Sequence, residues 1–427
     1  MTADPQTSVQ HMLCPECTSS IPVDSGYVTW CDRCGWNLEP QDVGAPRSLI
    51  EALYIRIGRT FGRRLYEEVR KQPGRVSFTA SRLLAFIIAA CVHLITAVFV
   101  VAGVLLIVAT WFHVLPTAAG LCLLALAWLL HPRLPRAPNN LVPRDRIPTW
   151  YRLADSVAGA IGATPVYGIV LTADFNASYS QAGVLRRMAI LRLGVPLLSV
   201  LDAEGRAALL AHELAHSVNG DPLRGLVAGS AINTLATWYG LMRPARLFDQ
   251  RLGGLAALGS LLSNAIMLAL SVIPWTVAFI LVHLMWRDSQ RAEYRADQLA
   301  TRVAGTEAML RLLDALHLRR QVTSALQSLA VTRTGNDFFA ELRRRVAMLP
   351  ERERERIRRI EHMENSRLDA THPPTSSRID LITACLATRA EVTVNASDAR
   401  ALDDELRAFE PGIQAALLDR YQRSLYY

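Results

Sequence analysis

The sequence has almost no lysine and no segment typical of a secretory signal. Lys71 is the one lysine among 46 basic residues, so arginine carries the formal net charge of +8. The first 13 residues are polar and lack an apolar core followed by a cleavage site, which predicts that the N-terminus stays in the cytoplasm. A basic excess can indicate nucleic-acid binding. In a chain with long apolar runs, however, it first indicates basic loops retained in the cytoplasm, so nucleic acid is not an expected partner.

Cysteine is also scarce, and its spacing disfavours a disulfide framework. Four of the seven cysteines lie near the N-terminus as two C-x2-C pairs, and the other three are scattered. Such usage indicates metal ligation in a reducing compartment. Two pairs can complete a tetrahedral zinc site and hold together a segment that is too small for its own core. The pairs are Cys14 with Cys17 and Cys31 with Cys34, and they predict a structural zinc ribbon over residues 1–45.

The sequence leaves the role of this ribbon open. Arg33 is the one basic residue between Cys14 and Trp36, which disfavours a nucleic-acid-binding ribbon. A protein-docking role, a sensing role and a purely structural role remain. The ribbon is therefore a candidate surface for a protein partner.

Charge is absent from several long apolar runs, which predicts membrane-spanning helices. The chain is 51% hydrophobic with a mean hydropathy of +0.18, high values for a soluble protein. Two runs joined near Pro116 predict a transmembrane hairpin over residues 83–131, and flanking arginines place both its ends in the cytoplasm. Two further runs predict a second hairpin over residues 223–286, broken by Pro274. Arginines in its loop oppose placing that loop outside, so residues 223–242 either span or lie in the interface or a protein-lined cavity.

The other segments are expected at the membrane surface or in solution. Residues 46–82 predict a basic amphipathic linker that anionic lipids attract. Residues 132–222 and 287–390 form two parts of one domain, on which a helical tail over residues 391–427 packs. The patterns predict helices over 151–161, 202–219, 297–304, 306–332, 338–364 and 380–388, and strands over 166–171, 182–185 and 189–193. Alternating Glu and Arg over 351–359 predicts a solvated, salt-bridged face.

The main chemical motif is the H-E-x-x-H run from His212 to His216, in a helix that Asp202 is suited to cap. Residues four apart share a helical face, so His212 and His216 can bind one metal ion while Glu213 lies beside them as a general base. A catalytic zinc site needs a third protein ligand. Glu293 and Asp297 share a face of a later helix, so one carboxylate can ligate while the other orients an imidazole.

Three motifs in order resemble those of a known family. The run H-E-L-A-H-S-V-N-G-D is followed by two apolar segments and then by E-Y-R-A-D, which starts at Glu293. The segment from His372 to Ile379 resembles a late H-P-P-T-x-x-R-I signature, and Asn176-Ala177 stands where the family has an N-A motif. Over about residues 83–390 the chain is similar to the HtpX-type membrane metallopeptidases and the CAAX prenyl endopeptidases. The ribbon, the basic segment and the tail depart from that plan.

The resemblance implies a fold and a set of residue roles. The fold is a mainly α membrane protein with a small β-sheet, in which a gluzincin-type metallopeptidase domain is interleaved with about four transmembrane helices. The implied roles are zinc ligation by His212, His216 and Glu293, base catalysis by Glu213, and contact with the substrate backbone by Asn176 and the strand region preceding it. With Glu293 as the ligand, Asp297 is the carboxylate that remains to orient an imidazole. His372 would donate to the developing oxyanion or only shape a turn. Arg378 would anchor substrate or form a structural salt bridge.

These features predict a multi-pass enzyme of the cell membrane with one catalytic and one structural zinc ion. The ribbon and the catalytic domain are expected in the cytoplasm, and the expected partners are membrane lipids and polypeptide substrates. Quality-control proteolysis of membrane proteins is the first interpretation, and maturation of a specific membrane or lipidated peptide is the second. A non-catalytic zinc-binding adaptor is the third, against which the intact Glu213 argues.

Overall fold

The computed structural model describes residues 10–24, 26–38, 49–71, 80–131, 136–183, 188–219, 225–243, 254–332, 337–363 and 372–426. Helices dominate these residues, with two small sheets, as predicted. The strands are β1 (Gln10–Leu13), β2 (Ser20–Val23), β3 (Val166–Thr172), β4 (Ala177–Ala182) and β5 (Met188–Gly194). The helices are α1 (Leu49–Lys71), α2 (Ala80–Ala109), α3 (Val114–Leu130), α4 (Pro148–Ile161), α5 (Val195–Leu198), α6 (Ala203–Val218), α7 (Ser230–Met242), α8 (Gly254–Ala304), α9 (Thr306–Leu316), α10 (Arg319–Thr332), α11 (Phe338–Ala347), α12 (Glu351–Met363), α13 (Thr375–Thr383), α14 (Ala396–Arg407) and α15 (Glu410–Tyr426), with a π-helical turn at Gly225–Gly229 before α7.

The larger sheet has the strand order β3-β5-β4. Its central strand, β5, is parallel to β3 and antiparallel to β4. Of the strand predicted over 182–185, Ala182 is the last residue of β4 and Gly183 lies beyond its end, while residues 184 and 185 lie outside the described residues. Half of the side chains in β4 are polar, so its strand character comes from pairing with the buried β5 rather than from its own hydrophobic pattern.

The main hydrophobic core forms around α6. Asp202 caps this helix, as predicted, by accepting a hydrogen bond from the backbone N–H of Gly205 at 2.7 Å. Every residue from Gly205 to Ala215 is buried, because α4, α8 and α9 pack around the helix. A helix that is buried all round is held rigidly by its neighbours. The side chains that α6 carries are therefore placed on a rigid support.

Two helices of the described part of the chain are long and apolar enough to cross a membrane. They are α2 and the stretch Ala256–Ala304 of α8. Large apolar side chains such as Leu94, Val108 and Ile273 cover their outer surfaces. The apolar helix α3 is shorter, at 17 residues, and α7 has 13.

The break predicted at Pro274 is wrong, since α8 continues through this proline. Proline removes one helical hydrogen bond. In an apolar environment, however, unwinding the helix would leave more backbone groups without a partner, because no water is present to bind them, so the helix persists. At 1.5 Å per residue its 51 residues span about 76 Å, more than twice the hydrocarbon core of a bilayer. The last part of α8 therefore lies within the catalytic domain, where it packs against α6.

The flanking segments also pack onto this domain. The predicted amphipathic segment forms α1, whose buried Leu65 and Val69 contact Tyr294 of α8. Helix α13 begins at Thr375 and ends at Thr383, so the helix predicted over 380–388 starts too late and ends too late. The tail packs on the domain as expected, and Trp150 of α4 donates from Nε1 to the carbonyl of Leu402 in α14 at 3.1 Å.

Helix α12 has the predicted salt bridges, but part of the face that was expected to be solvated is buried. Glu353 and Arg356 are only 7% and 9% exposed, and they form a bidentate ion pair with both contacts at 2.7 Å. The N-terminal ribbon covers this face of the helix, and Trp30 and Leu38 of the ribbon pack with Ile360 of α12. An alternating charge pattern shows which residues are charged but not what packs against them, and for this reason the interface is missed.

Candidate metal centre

The two histidines of the H-E-x-x-H motif lie on one face of α6. Their rings meet edge to face with centroids 5.0 Å apart. His212 is 5% exposed, and Glu213 between them is 7% exposed. The buried position of this face follows from the packing of α8 across α6.

Helix α8 brings Glu293 to the same point. One carboxylate oxygen lies 3.5 Å from Nε2 of His212, and the other lies 3.5 Å from Nε2 of His216. The ligand atoms of these three residues all lie within 4.8 Å of one another. Tetrahedral zinc with bonds of about 2.1 Å separates its ligand atoms by about 3.4 Å, so the three residues fit a zinc ion. The structure thus confirms the prediction that the chain returns Glu293 to the side of the motif helix.

A buried ion pair supports the first ligand from behind. Asp297 is fully buried, lies 2.9 Å from Nδ1 of His212 and accepts two hydrogen bonds from Arg378, at 2.6 and 2.8 Å. Since Asp297 accepts the Nδ1 proton, Nε2 is the nitrogen that remains for a metal. Arg378 is itself 5% exposed. Its contacts match the structural salt bridge, one of the two roles considered for this residue.

Electrostatics at the centre follow from these contacts. Burial opposes the charge of His212, but the neighbouring carboxylates of Asp297 and Glu293 outweigh it and raise the pKa of His212 to about 10. Burial instead lowers the pKa of His216 from its usual value. The adjacent Asp297 keeps the pKa of Arg378 above its usual value despite complete burial, so this guanidinium remains charged. The carboxylates thus favour cations at this point, and a metal ion is such a cation.

His372 also reaches the centre, from the loop before α13. Its Nδ1 lies 2.8 Å from Oε2 of Glu293, and its side chain is 51% exposed. Oε2 is buried and accepts no hydrogen bond of normal geometry from the described residues, even at this short separation. A buried carboxylate oxygen without a well-aligned donor matches a metal ligand. His372 is thus the exposed member of the group.

Asn176 lies at the start of the edge strand β4. It is exposed, and its carbonyl accepts a hydrogen bond from the backbone N–H of Gly194 at 2.9 Å. The resemblance implies that the strand preceding Asn176 contacts substrate, but β4, which follows it, is the strand that packs beside α6. The reason is the strand order, which puts β3 on the far side of β5. Which strand contacts substrate stays a prediction, as does the role of Asn176 itself.

The four cysteines of the ribbon also meet. The Sγ atoms of Cys14 and Cys34 are 3.6 Å apart, and those of Cys17 and Cys31 are 3.5 Å apart. All four lie within 4.8 Å of one another. Zinc–sulfur bonds of about 2.3 Å place tetrahedral thiolates about 3.8 Å apart. The donor set and its separations therefore fit a zinc ion.

Two contacts that hold the centre together could not be predicted from the sequence. Asn219, just after α6, donates from its side chain to the carbonyl of Ala292 at 3.2 Å and so ties the end of α6 to the segment that carries Glu293. Arg291 forms a salt bridge at 2.6 Å with Glu68 of α1. Both pairs join residues far apart in the chain. Only the tertiary fold reveals them.

Comparison with known proteins bears on this site. The chain is 27% identical over 188 residues to "Protease HtpX" of Xanthomonas axonopodis pv. citri, covering 42% of this chain and 61% of that protein. It is 24% identical over 260 residues to "Protease HtpX homolog" of Pyrobaculum calidifontis, covering 60% and 72%. The match thus spans about three fifths of the length of the Xanthomonas relative. No solved structure matches the chain.

A family model for "Peptidase family M48" matches residues 152–385. This range contains α6, α8 and α13 in full, and so includes each candidate site residue outside the ribbon. Because the match covers more than half of the chain, the protein belongs to peptidase family M48.

Proposed function

We propose that the chain is a zinc-dependent endopeptidase embedded in the cell membrane, which hydrolyses peptide bonds at the cytoplasmic face. The observation that carries this proposal is the convergence of His212, His216 and Glu293 around one point beside Glu213. Membership of family M48 supports the reaction class. The similarity to HtpX proteases supports proteolysis as the activity.

Each residue of the centre has a chemical task in this reaction. Zinc held by the two histidines and Glu293 would supply Lewis acidity and lower the pKa of a bound water to about 7. Glu213 takes the proton of the attacking water and returns it to the leaving amine. Asp297 keeps the Nδ1 proton on His212 and so fixes the orientation of that ring.

His372 is the proposed donor to the oxyanion that develops on the scissile carbonyl. Its exposed ring beside Glu293 supports this role over that of a histidine that only shapes a turn. A peptide substrate in extended form would lie along β4, whose outer edge has no paired strand among the described residues. Asn176 at the start of β4 would contact the same peptide.

The proposed membrane arrangement has about four spans. These are α2, α3, α7 with the π-helical turn before it, and the part of α8 up to residue 286. Arginines at both ends of the α2–α3 hairpin support a cytoplasmic position for the ribbon and the catalytic domain. Helix α1, with arginines along its length, would lie on anionic lipid. Membrane proteins are then the substrates within reach, and their quality control is the proposed role.

The substitution Glu213→Gln tests the reaction. The amide keeps the size of the side chain but cannot accept the proton, so we expect cleavage of casein to fall by at least about 1000-fold with zinc retained. Wild-type protein with a chelator provides the control for metal dependence. Chelator-resistant cleavage, or wild-type activity in Glu213→Gln, would refute the proposal. A wild type that binds zinc and cleaves nothing would favour the adaptor.

The same variant addresses the biological role. Because it binds substrate without cleaving it, Glu213→Gln should retain substrates in its own membrane, where they can be cross-linked and identified. A range of misassembled membrane proteins is expected for quality control. A single lipidated or membrane-bound peptide would instead indicate a maturation protease.

A further inference from the structure

The ribbon binds one face of α12 through three arginines. Arg352, Arg356 and Arg359 are spaced so that they follow one side of the helix, and Ile360 lies beside them. Arg352 donates to the carbonyl of Trp30, Arg356 to that of Leu38 at 2.7 Å, and Arg359 to that of Asp32 at 2.5 Å. The three bonds are charge-assisted and link segments more than 300 residues apart.

Trp30 makes this contact specific. The guanidinium of Arg352 lies 4.7 Å from the centre of its ring, and that of Arg359 lies 5.0 Å from the same centre. Both separations are within the range of a cation–π interaction. Trp30 is 1% exposed, and so is Ile360, on which it packs. Such burial shows that the ribbon is docked on its own chain over this face and does not present it to another protein.

The accepting carbonyls are tied to the cysteine cluster. Trp30 directly precedes Cys31, and Asp32 directly follows it. The backbone N–H of Cys31 also bonds to the carbonyl of Trp36, at 2.9 Å, which closes the knuckle. In the described part of the ribbon, Trp30 and Leu38 pack on α12, and the remaining buried apolar residues are Ile21, Cys14 and Cys31. The shape of the ribbon therefore depends on metal at the four thiolates. Loss of that metal would release the carbonyls from the geometry in which the arginines bind them.

The opposite face of α12 leads towards the metal centre. Ile357 belongs to the core of the catalytic domain, and Arg358 pairs with Asp314 of α9 at 2.6 Å. Both α9 and α12 pack against α13. Helix α13 carries Arg378, whose ion pair with Asp297 supports His212. A continuous series of packed elements thus joins the cysteine cluster to the metal centre.

We propose that the ribbon is a zinc-dependent brace, in which metal bound by the four cysteines holds the arginine face of α12 and thereby positions α13 for catalysis. The ribbon and the three arginines act through α13 and touch no substrate, so they are positioning elements. This inference rests on the proposed peptidase function for its kinetic readout. It assigns the protease a dependence on metal at a second site.

The test compares three purified full-length variants with the wild type. Arg356→Ala keeps all four cysteines but removes the central contact, and Cys34→Ser removes a thiolate that is exposed. Arg354→Ala is the matched control, since this residue is on the same helix but donates to the carbonyl of Val346 within the catalytic domain at 2.8 Å. Zinc content, kcat and KM on casein, and hydrogen exchange of α12 and α13 are measured for each.

Different readouts should separate the variants. Arg356→Ala should keep two zinc ions and Cys34→Ser should keep one. In both, exchange in α12 and α13 should rise and kcat should fall by about 10- to 100-fold with KM unchanged, because small misplacements at a reacting centre have effects of this size. Arg354→Ala should retain wild-type values. If Arg356→Ala fails to fold, Arg359→Ala, with a 39% exposed side chain, replaces it.

Two results would overturn the brace. One is an unchanged kcat in Cys34→Ser after loss of its zinc. The other is increased exchange confined to the ribbon in Arg356→Ala, with α13 and kcat unaffected. If the wild type itself cleaves nothing, the peptidase proposal fails. The brace is then tested without kinetics, by hydrogen exchange in α13 and by zinc affinity at the histidine site in the same variants.

Discussion

Substitutions in the ion pair between Asp297 and Arg378 can separate an effect on folding stability from an effect on metal binding. Both side chains are buried, at 0% and 5% exposure, and two hydrogen bonds join them. Replacing Asp297 with Ala leaves the guanidinium buried without its counter-charge, which costs about 3–5 kcal/mol. It also removes the acceptor of His212 Nδ1, which lowers metal affinity about 10- to 100-fold, or about 1.4–2.7 kcal/mol. Asp297→Ala should therefore lose both stability and zinc.

A double-mutant cycle pairs Asp297→Ala with a second substitution, Arg378→Met. Alone, it leaves Asp297 with only the Nδ1–H of His212 as a partner, so we expect a similar loss of about 3–5 kcal/mol in stability but zinc affinity close to wild type. In the double variant no buried charge is left unpaired, and most of the stability should return. Zinc affinity should stay as low as in Asp297→Ala, because His212 still lacks its acceptor.

The assay needs to distinguish two zinc ions. Transfer of zinc to a chromophoric chelator reports the histidine site, and zinc released only after thiol modification counts the ribbon. Stability comes from thermal unfolding in detergent. The reasoning is refuted if Arg378→Met lowers zinc affinity as much as Asp297→Ala does, or if the double variant is less stable than either single one.

Two further predictions concern the supports of the fold. A Cβ on Gly194 would lie 1.8 Å from the carbonyl oxygen of Asp174, so Gly194→Ala should destabilise the fold by about 3 kcal/mol or more. The control Gly159→Ala, with open space around the new methyl group, should be neutral or stabilise the fold by up to about 1 kcal/mol. Equal melting temperatures for the two variants would contradict the close approach at Gly194. Glu405 accepts from the first N–H groups of α4 at 2.9 and 3.3 Å, so Glu405→Ala should cost about 1–2 kcal/mol while the exposed Asp404→Ala stays within about 0.5 kcal/mol. A loss no larger in Glu405→Ala than in the control would show that the tail is not needed to cap α4.

The metal-binding motifs were predictable because their geometry is local. His212 and His216 are one helical turn apart, and the cap at Asp202 lies ten residues before the first of them. Each C-x2-C pair likewise forms its knuckle within four residues. Helical periodicity and short chain spacing are enough to bring such atoms together, whatever the rest of the fold does.

The role of Glu293 was predictable only in part. Its placement on a helix four residues before Asp297 follows from the sequence, but which carboxylate faces the histidines does not. The resemblance to a known family selected Glu293, and the packing of α8 on α6 brings it within 3.5 Å of both rings. Pro274 was misjudged because its effect depends on what surrounds the helix rather than on the residue alone.

What only the tertiary structure decided are the contacts between distant segments. The strand position of β4 depends on pairing with β5, and the burial of Arg356 depends on a ribbon more than 300 residues away. Arginine and glutamate have the same local pattern whether they face water or a partner, since their charge is fixed but their environment is not. The sequence by itself therefore determined the chemistry of both metal sites. Packing decided which residues support them and placed α12 and α13 between the two candidate sites.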